Sequence, residues 1–181
     1  MKKILLSSFI ALAAITTYAQ KDNKLKFGIG GEFGVVTGNL RTGYSAGLGP
    51  SVHVDYAIDE KLTATLQTGY MVFIGKKINT LVTNNSIGSI PILAGAKYYF
   101  IPSLYGSAQL GVSIFTASGN KSTKFNFVPG IGYKINDKFD VLVKYTGYIG
   151  QDNNVLVGGV LVPSTSNGEG GVFGIRVGYT L

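Results

Sequence analysis

The sequence predicts an all-β chain: a closed, eight-stranded, antiparallel up-and-down barrel that crosses a membrane, with short periplasmic turns and longer extracellular loops. Three observations carry this expectation. Apolar and polar residues alternate through eight segments, the connections between segments alternate between short and long, and glycine is abundant, at 26 of 181 residues. Alternating side chains point to opposite faces of a strand, so a two-residue period gives each segment one apolar face and one polar or small face. Glycine spread through the chain argues against helices, where each costs about 1 kcal/mol relative to alanine.

The N-terminus is set apart from this pattern. Met1-Lys2-Lys3 is basic, the run from Ile4 to Ile15 is apolar, and Thr16-Thr17-Tyr18-Ala19-Gln20 supplies small residues. This is the layout of a secretory signal peptide. The apolar run is shorter than the ~20 residues a membrane-spanning helix needs. Residues 1–19 are therefore expected to be cleaved after Ala19, leaving 20–181 as the barrel domain. Removing Lys2 and Lys3 lowers the formal net charge from +7 to +5.

Composition excludes several function classes. With no cysteine, the chain has no disulfide, no thiolate metal site, no cysteine nucleophile and no lipidated cysteine. Lys and Arg are scattered rather than clustered, which argues against a nucleic-acid partner. After the signal segment no apolar stretch is long enough for a membrane helix, so a membrane position requires strands.

The eight expected strands are Leu25–Thr37, Tyr44–Ala57, Leu62–Gly75, Ile87–Phe100, Leu104–Thr116, Lys124–Ile135, Phe139–Gly150 and Gly171–Leu181. The period is clearest in three of them. In the second, Leu48, Val52, Val54 and Tyr56 oppose Gly47, Ser51, His53 and Asp55. In the seventh, Phe139, Val141, Val143 and Tyr145 oppose Asp140, Lys144 and Thr146. In the eighth, Phe173, Ile175, Val177 and Tyr179 oppose Gly174, Arg176 and Gly178. Ile58–Lys61, Ile101–Ser103 and Asn136–Lys138 read as tight turns. Gly38–Gly43, Lys76–Ser86, Ala117–Thr123 and Gln151–Gly170 read as loops, mostly longer. Sorting long and short connections to opposite ends is the layout of outer-membrane barrels.

Bulk decides which face is outside. The polar face carries Gly28, Gly30, Gly34, Gly95, Gly130, Gly132 and further glycines, and the interior of an eight-stranded barrel is only just wide enough for side chains. Small residues there make room for long ones, so the bulky apolar face meets lipid. Aromatic residues mark the two interfaces. Phe27, Tyr56, Tyr98, Phe100, Tyr133, Phe139 and Tyr179 form the girdle near the short turns. Phe33, Tyr44, Phe125, Phe127 and Phe173 form the one near the long loops.

Four stretches carry a family resemblance: Thr17-Tyr18-Ala19-Gln20, Tyr56-Ala57-Ile58-Asp59-Glu60-Lys61-Leu62, Gly95-Ala96-Lys97-Tyr98-Tyr99-Phe100, and Gly174-Ile175-Arg176-Val177-Gly178-Tyr179-Thr180-Leu181. With these the chain resembles the small outer-membrane β-barrel family, in particular the porin-like and OmpA-like barrel domains of Bacteroidetes-type bacteria. The resemblance implies an integral protein of the Gram-negative outer membrane with both termini periplasmic. It implies outer-membrane lipid as surroundings, and barrel-assembly machinery and periplasmic chaperones as partners during biogenesis. It brings no assigned activity.

No catalytic, cofactor-binding or metal-binding residues are expected. The single histidine, His53, shares a face with Asp55 and should lie in the inner half of the lumen, away from the lipid that a lipid-modifying enzyme would have to reach. One histidine and no carboxylate cluster make a poor metal site. Glycine triplets such as Gly28-Ile29-Gly30-Gly31 lack the helix and Lys-Ser/Thr pair of a phosphate loop. The expected lumen polar network comprises Glu32, Arg176, His53, Asp55, Gln67, Lys97, Gln109 and Lys144, with Lys26, Lys134 and Asp140 also inward. Glu32 and Arg176, on strands that close the barrel, are expected to pair. The preferred reading is a monomeric, non-enzymatic structural or surface-interaction barrel. The alternative is a narrow pore for ions or small solutes gated by that ion pair. A lipid-modifying enzyme or a soluble lipocalin-like carrier fits less well.

Overall fold

The computed structural model describes residues 24–79, 82–83, 85–117, 120–149, 155–157, 160–162 and 170–181. The expected signal peptide, 1–19, and most of the expected loop 151–170 lie outside the described residues.

Eight strands form the wall: β1 (Leu25–Gly38), β2 (Tyr44–Ala57), β3 (Leu62–Gly69 continued by Met71–Gly75), β4 (Ile87–Ile101), β5 (Leu104–Ala117), β6 (Asn120–Lys134), β7 (Phe139–Ile149) and β8 (Gly170–Thr180). Each pairs antiparallel with its chain neighbour, and β1 pairs with β8 from Gly28↔Thr180 to Gly38↔Gly170, which closes the ring. Closure gives every strand two neighbours, as lipid requires of backbone N–H and C=O groups. Among the described residues the helical structure is one short turn, Asn39–Thr42, between β1 and β2. Two small hairpins, Lys77–Asn79 with Val82–Thr83 and Val155–Val157 with Val160–Val162, stand in the long connections.

Burial is inside-out relative to a water-soluble domain. Leu110, Ile131 and Val143 are 58%, 62% and 54% exposed, whereas Gln67, Gln109 and Arg176 are 1%, 2% and 0% exposed. The apolar face therefore points away from the lumen, and a lipocalin-like apolar interior is overturned.

Two short turns share one architecture. Asp59 Oδ1 accepts the backbone N–H groups of Lys61 and Leu62, both at 2.7 Å. Asn136 Oδ1 accepts those of Lys138 and Phe139 at 2.9 and 2.8 Å. Such a side chain replaces the backbone acceptor a tight turn lacks. In each turn the preceding isoleucine, Ile58 or Ile135, also donates its N–H to the carbonyl of the residue that opens the next strand, at 2.9 Å.

Three local departures from the expected pattern have identifiable causes. The β5–β6 hairpin stays paired out to Ala117↔Asn120, where the sequence reading placed a loop at Ala117–Thr123. Lys121, Ser122 and Thr123 are all exposed, and a hairpin standing in water can be polar on both faces without ceasing to be a strand. Strand β3 is interrupted at Tyr70, which lies beside Pro50 of β2. Tyr70 N–H donates to the Pro50 carbonyl at 3.0 Å, but proline has no N–H to return the bond. The β2–β3 register shifts between Tyr44 and Gly47. That bulge moves Tyr44 off the outer girdle, where its sequence position had put it, and onto the interior, against Phe73 and its neighbours.

Candidate functional site

Among the described residues, charged and polar side chains converge in the lumen, which is built in layers. Starting at the periplasmic end, Lys97 Nζ of β4 reaches Asp55 Oδ2 of β2 at 2.6 Å, and His53 Nε2 stands 4.0 Å from the same oxygen. Across the barrel, the Tyr105 hydroxyl of β5 donates to Asp140 Oδ2 of β7, and Arg176 Nη2 of β8 donates to that oxygen at 2.9 Å. Lys97 also lies 5.4 Å from the centre of the Tyr105 ring, which ties the two groups together.

The next layer is centred on Gln67 of β3. Its Oε1 accepts from Arg176 Nη1 at 3.1 Å, and its Nε2 donates to Glu32 Oε1 at 2.8 Å. Gln109 Nε2 approaches the same Gln67 oxygen at 3.4 Å. Glu32 Oε2 is held by Lys144 Nζ at 2.6 Å. Above this, Ser113 Oγ donates to the Asn126 carboxamide oxygen at 2.6 Å, while the Asn126 nitrogen faces the carbonyls of Lys124 and Phe125. A cavity of about 20 Å3 lies here among Glu32, Gln67, Ser89, Lys144 and Tyr148, room for about one water molecule.

The extracellular end is apolar. Val36, Phe73, Phe115, Tyr148 and Val172 form a buried cluster inside the barrel, with Leu40, Tyr44, Met71 and Ile87 packed against it. The rings of Phe115 and Tyr148 meet edge to face at 5.3 Å, and those of Phe73 and Phe115 lie 6.0 Å apart.

The expected direct Glu32–Arg176 pair is not formed. The two residues are register partners on β1 and β8, but each finds its counter-charge on β7 instead. Glu32 takes Lys144, Arg176 takes Asp140, and Gln67 bridges the two. The lumen groups His53, Gln67, Lys97, Gln109, Lys144, Glu32 and Arg176 are all buried, and Asp55 is partly buried. Asp140 belongs in the network, as do Tyr105, Ser113 and Asn126. Asp140 was already expected to point inward; Tyr105, Ser113 and Asn126 also lie on inward positions of their strands, so alternation carried through every strand would have found them. The apolar cluster escaped because its residues come from five strands, each contributing only one.

Three buried cations, Lys97, Lys144 and Arg176, thus meet three carboxylates, Asp55, Glu32 and Asp140, one to one. Removing charges from water is costly unless each is paired and hydrogen-bonded; each of these charges has a partner, while Asp55 Oδ1 and Arg176 Nε are buried without a hydrogen bond. Glycines make the space. A Cβ on Gly28 would lie 2.3 Å from the His53 ring, and one on Gly132 would lie 2.0 Å from the Tyr105 ring. Among the described residues no group of three or more His, Cys, Asp or Glu side chains could hold a metal ion.

Outside, most of the expected girdle residues are exposed, including Phe33, Tyr56, Tyr98, Phe100, Phe125, Tyr133, Phe139 and Phe173. Phe27 and Tyr179 are half-buried, and the Phe139 and Tyr179 rings pack at 5.0 Å. Tyr145 joins the extracellular girdle between Phe127 and Phe173, at 6.1 and 4.8 Å.

Comparison with known proteins places this architecture. No curated protein matches the sequence. Among solved structures, the chain is similar to Ail, the attachment invasion locus protein of Yersinia pestis. The two are 12% identical over 87% of this chain and 98% of Ail, with a TM-score of 0.52. It is similar in the same way to a de novo designed transmembrane β-barrel: 15% identity, 86% of this chain, 95% of that one, TM-score 0.51. These likenesses concern the fold. Residues 7–180 match the outer membrane protein beta-barrel domain. The chain belongs to that family and is a β-barrel protein of the bacterial outer membrane.

Proposed function

We propose that the protein is a closed, non-enzymatic barrel with a structural or surface-interaction role, working as a monomer in outer-membrane lipid. The observation that carries this reading is the filled lumen. A one-to-one ion network crosses its middle and an apolar cluster fills its extracellular end, which leaves little room for a water path. Eight-stranded barrels normally have interiors just wide enough to be filled in this way. His53 faces Gly28 inside the wall rather than lipid, which supports the absence of lipid chemistry. The β5–β6 hairpin, at the extracellular rim with Lys121, Ser122 and Thr123 exposed, supplies surface for an external partner. Planar-bilayer recording on the refolded protein tests closure. The expected result is no conductance above bare bilayer, and resolved unitary currents would sink the reading.

A second reading, a narrow pore gated by lumen ion pairs, draws on one observation. Glu32 lies directly across from Arg176 in the β1–β8 register while pairing with Lys144, so a re-pairing needs side-chain rotation alone. Under this reading Glu32→Ala raises conductance sharply. Silent recordings from both proteins would remove it.

A further inference from the structure

We propose that the periplasmic mouth of the barrel binds a small organic anion, a carboxylate or related oxyanion carried on an apolar body. The argument begins with charge. The three deep carboxylates are consumed by Lys97, Lys144 and Arg176, yet two more inward-facing cations, Lys26 of β1 and Lys134 of β6, stand nearer the mouth. Neither forms an ion pair with a described residue; Lys134 Nζ rests 4.8 Å from the centre of the Tyr99 ring.

Both lysines line one cavity of about 470 Å3 that opens to the periplasm, within the ~300–1,000 Å3 usual for small-molecule sites. Its acids offset them only in part. Asp55 is held by Lys97, while Asp59 keeps its charge but turns Oδ1 to the backbone of its own turn. Glu60 and Asp137 sit in the turns at the outer rim, where Lys24 and Lys61 match them in number. The remaining wall is apolar or aromatic, from Ala57, Tyr99, Ile101 and Pro102, with Thr63 and Thr180 lining the same space. Two ammonium groups with no ion-pair partner among the described residues, beside an apolar wall, select for an anion with an apolar body, because charge-assisted contacts fix the oxyanion while the wall takes the rest.

The test is amide NMR titration of the full barrel in lipid nanodiscs, with benzoate as probe. Inorganic phosphate, benzylamine and sodium chloride are the comparison arms. Benzoate is expected to shift the amides of Thr63, Tyr99 and Thr180 saturably, phosphate to bind more weakly, and benzylamine not to bind. Lys26→Gln with Lys134→Gln should weaken benzoate binding about tenfold or more, the worth of at least one charge-assisted hydrogen bond. Lys121→Gln, exposed on the β5–β6 hairpin at the other end of the barrel, should leave it within about twofold. Heat-modifiable gel migration checks that each variant is folded; if the inner pair fails to fold, Lys134→Gln alone serves. The proposal is overturned by shifts that sodium chloride reproduces, by inner-lysine variants that bind like the parent, or by benzylamine binding as well as benzoate. Phosphate binding as tightly as benzoate would overturn the requirement for an apolar body.

Discussion

Arg176 spends its guanidinium on two partners at once: Nη2 on Asp140 and Nη1 on Gln67, with none of its surface exposed. Replacing it with methionine keeps most of the volume but leaves Asp140 charged, buried and dependent on Tyr105 alone. Breaking a buried pair in this way costs about 3–5 kcal/mol, which urea unfolding of the refolded protein in lipid bilayers would register. Combining Arg176→Met with Asp140→Asn should recover part of the loss. A double variant as unstable as the sum of the two single changes would mean that the pair is not coupled. Gly132 makes a second test at this scale. Its substitution by alanine puts a Cβ against the buried Tyr105 ring, and forcing that ring aside is expected to cost about 1–3 kcal/mol. An unchanged urea midpoint would show that the ring moves freely.

Among the elements, the turns and the strand irregularities repay attention in different ways. Asp59 and Asn136 each cap a periplasmic turn with two backbone hydrogen bonds. Changing either to alanine should cost about 1–2 kcal/mol, since a hydrogen bond contributes about 0.5–1.5 kcal/mol net. The turns lie on different hairpins, so the two losses should add in the double variant; a combined loss no larger than a single one would contradict independent turns. These turns were legible as turns because their residues favour them. The β5–β6 extension was not, because a polar run reads as loop when the only rule applied is alternation between lumen and lipid. Nor was the bulge at Tyr44. One inserted residue reverses the facing of everything beyond it, and nothing local to Tyr44-Ser45-Ala46 announces the insertion.

At the scale of the molecule, the barrel inverts the usual distribution of apolar surface. Leu110, near the middle of β5 and 58% exposed, should sit in the hydrocarbon. Leu110→Arg is then expected to destabilise the protein by about 2–4 kcal/mol in bilayers, the cost of arginine at the midplane of a barrel's lipid face. A loss below about 0.5 kcal/mol, ordinary for a water-exposed site, would mean that this face does not meet lipid.

By itself the sequence determined the class of the fold, the number of strands, the sorting of short and long connections and the face turned to lipid. Each is a consequence of a two-residue period acting on bulk, which is local along the chain. It also marked Glu32 and Arg176 as neighbours, because closure of the ring forces β1 against β8. Only the tertiary structure decided which lumen charges pair. That choice depends on how far each side chain reaches in a narrow interior: Glu32–Lys144 and Asp55–Lys97 each skip one strand, and Arg176–Asp140 joins neighbouring strands diagonally rather than in register. The same holds for the apolar cluster at the extracellular end, which five strands assemble from single inward residues.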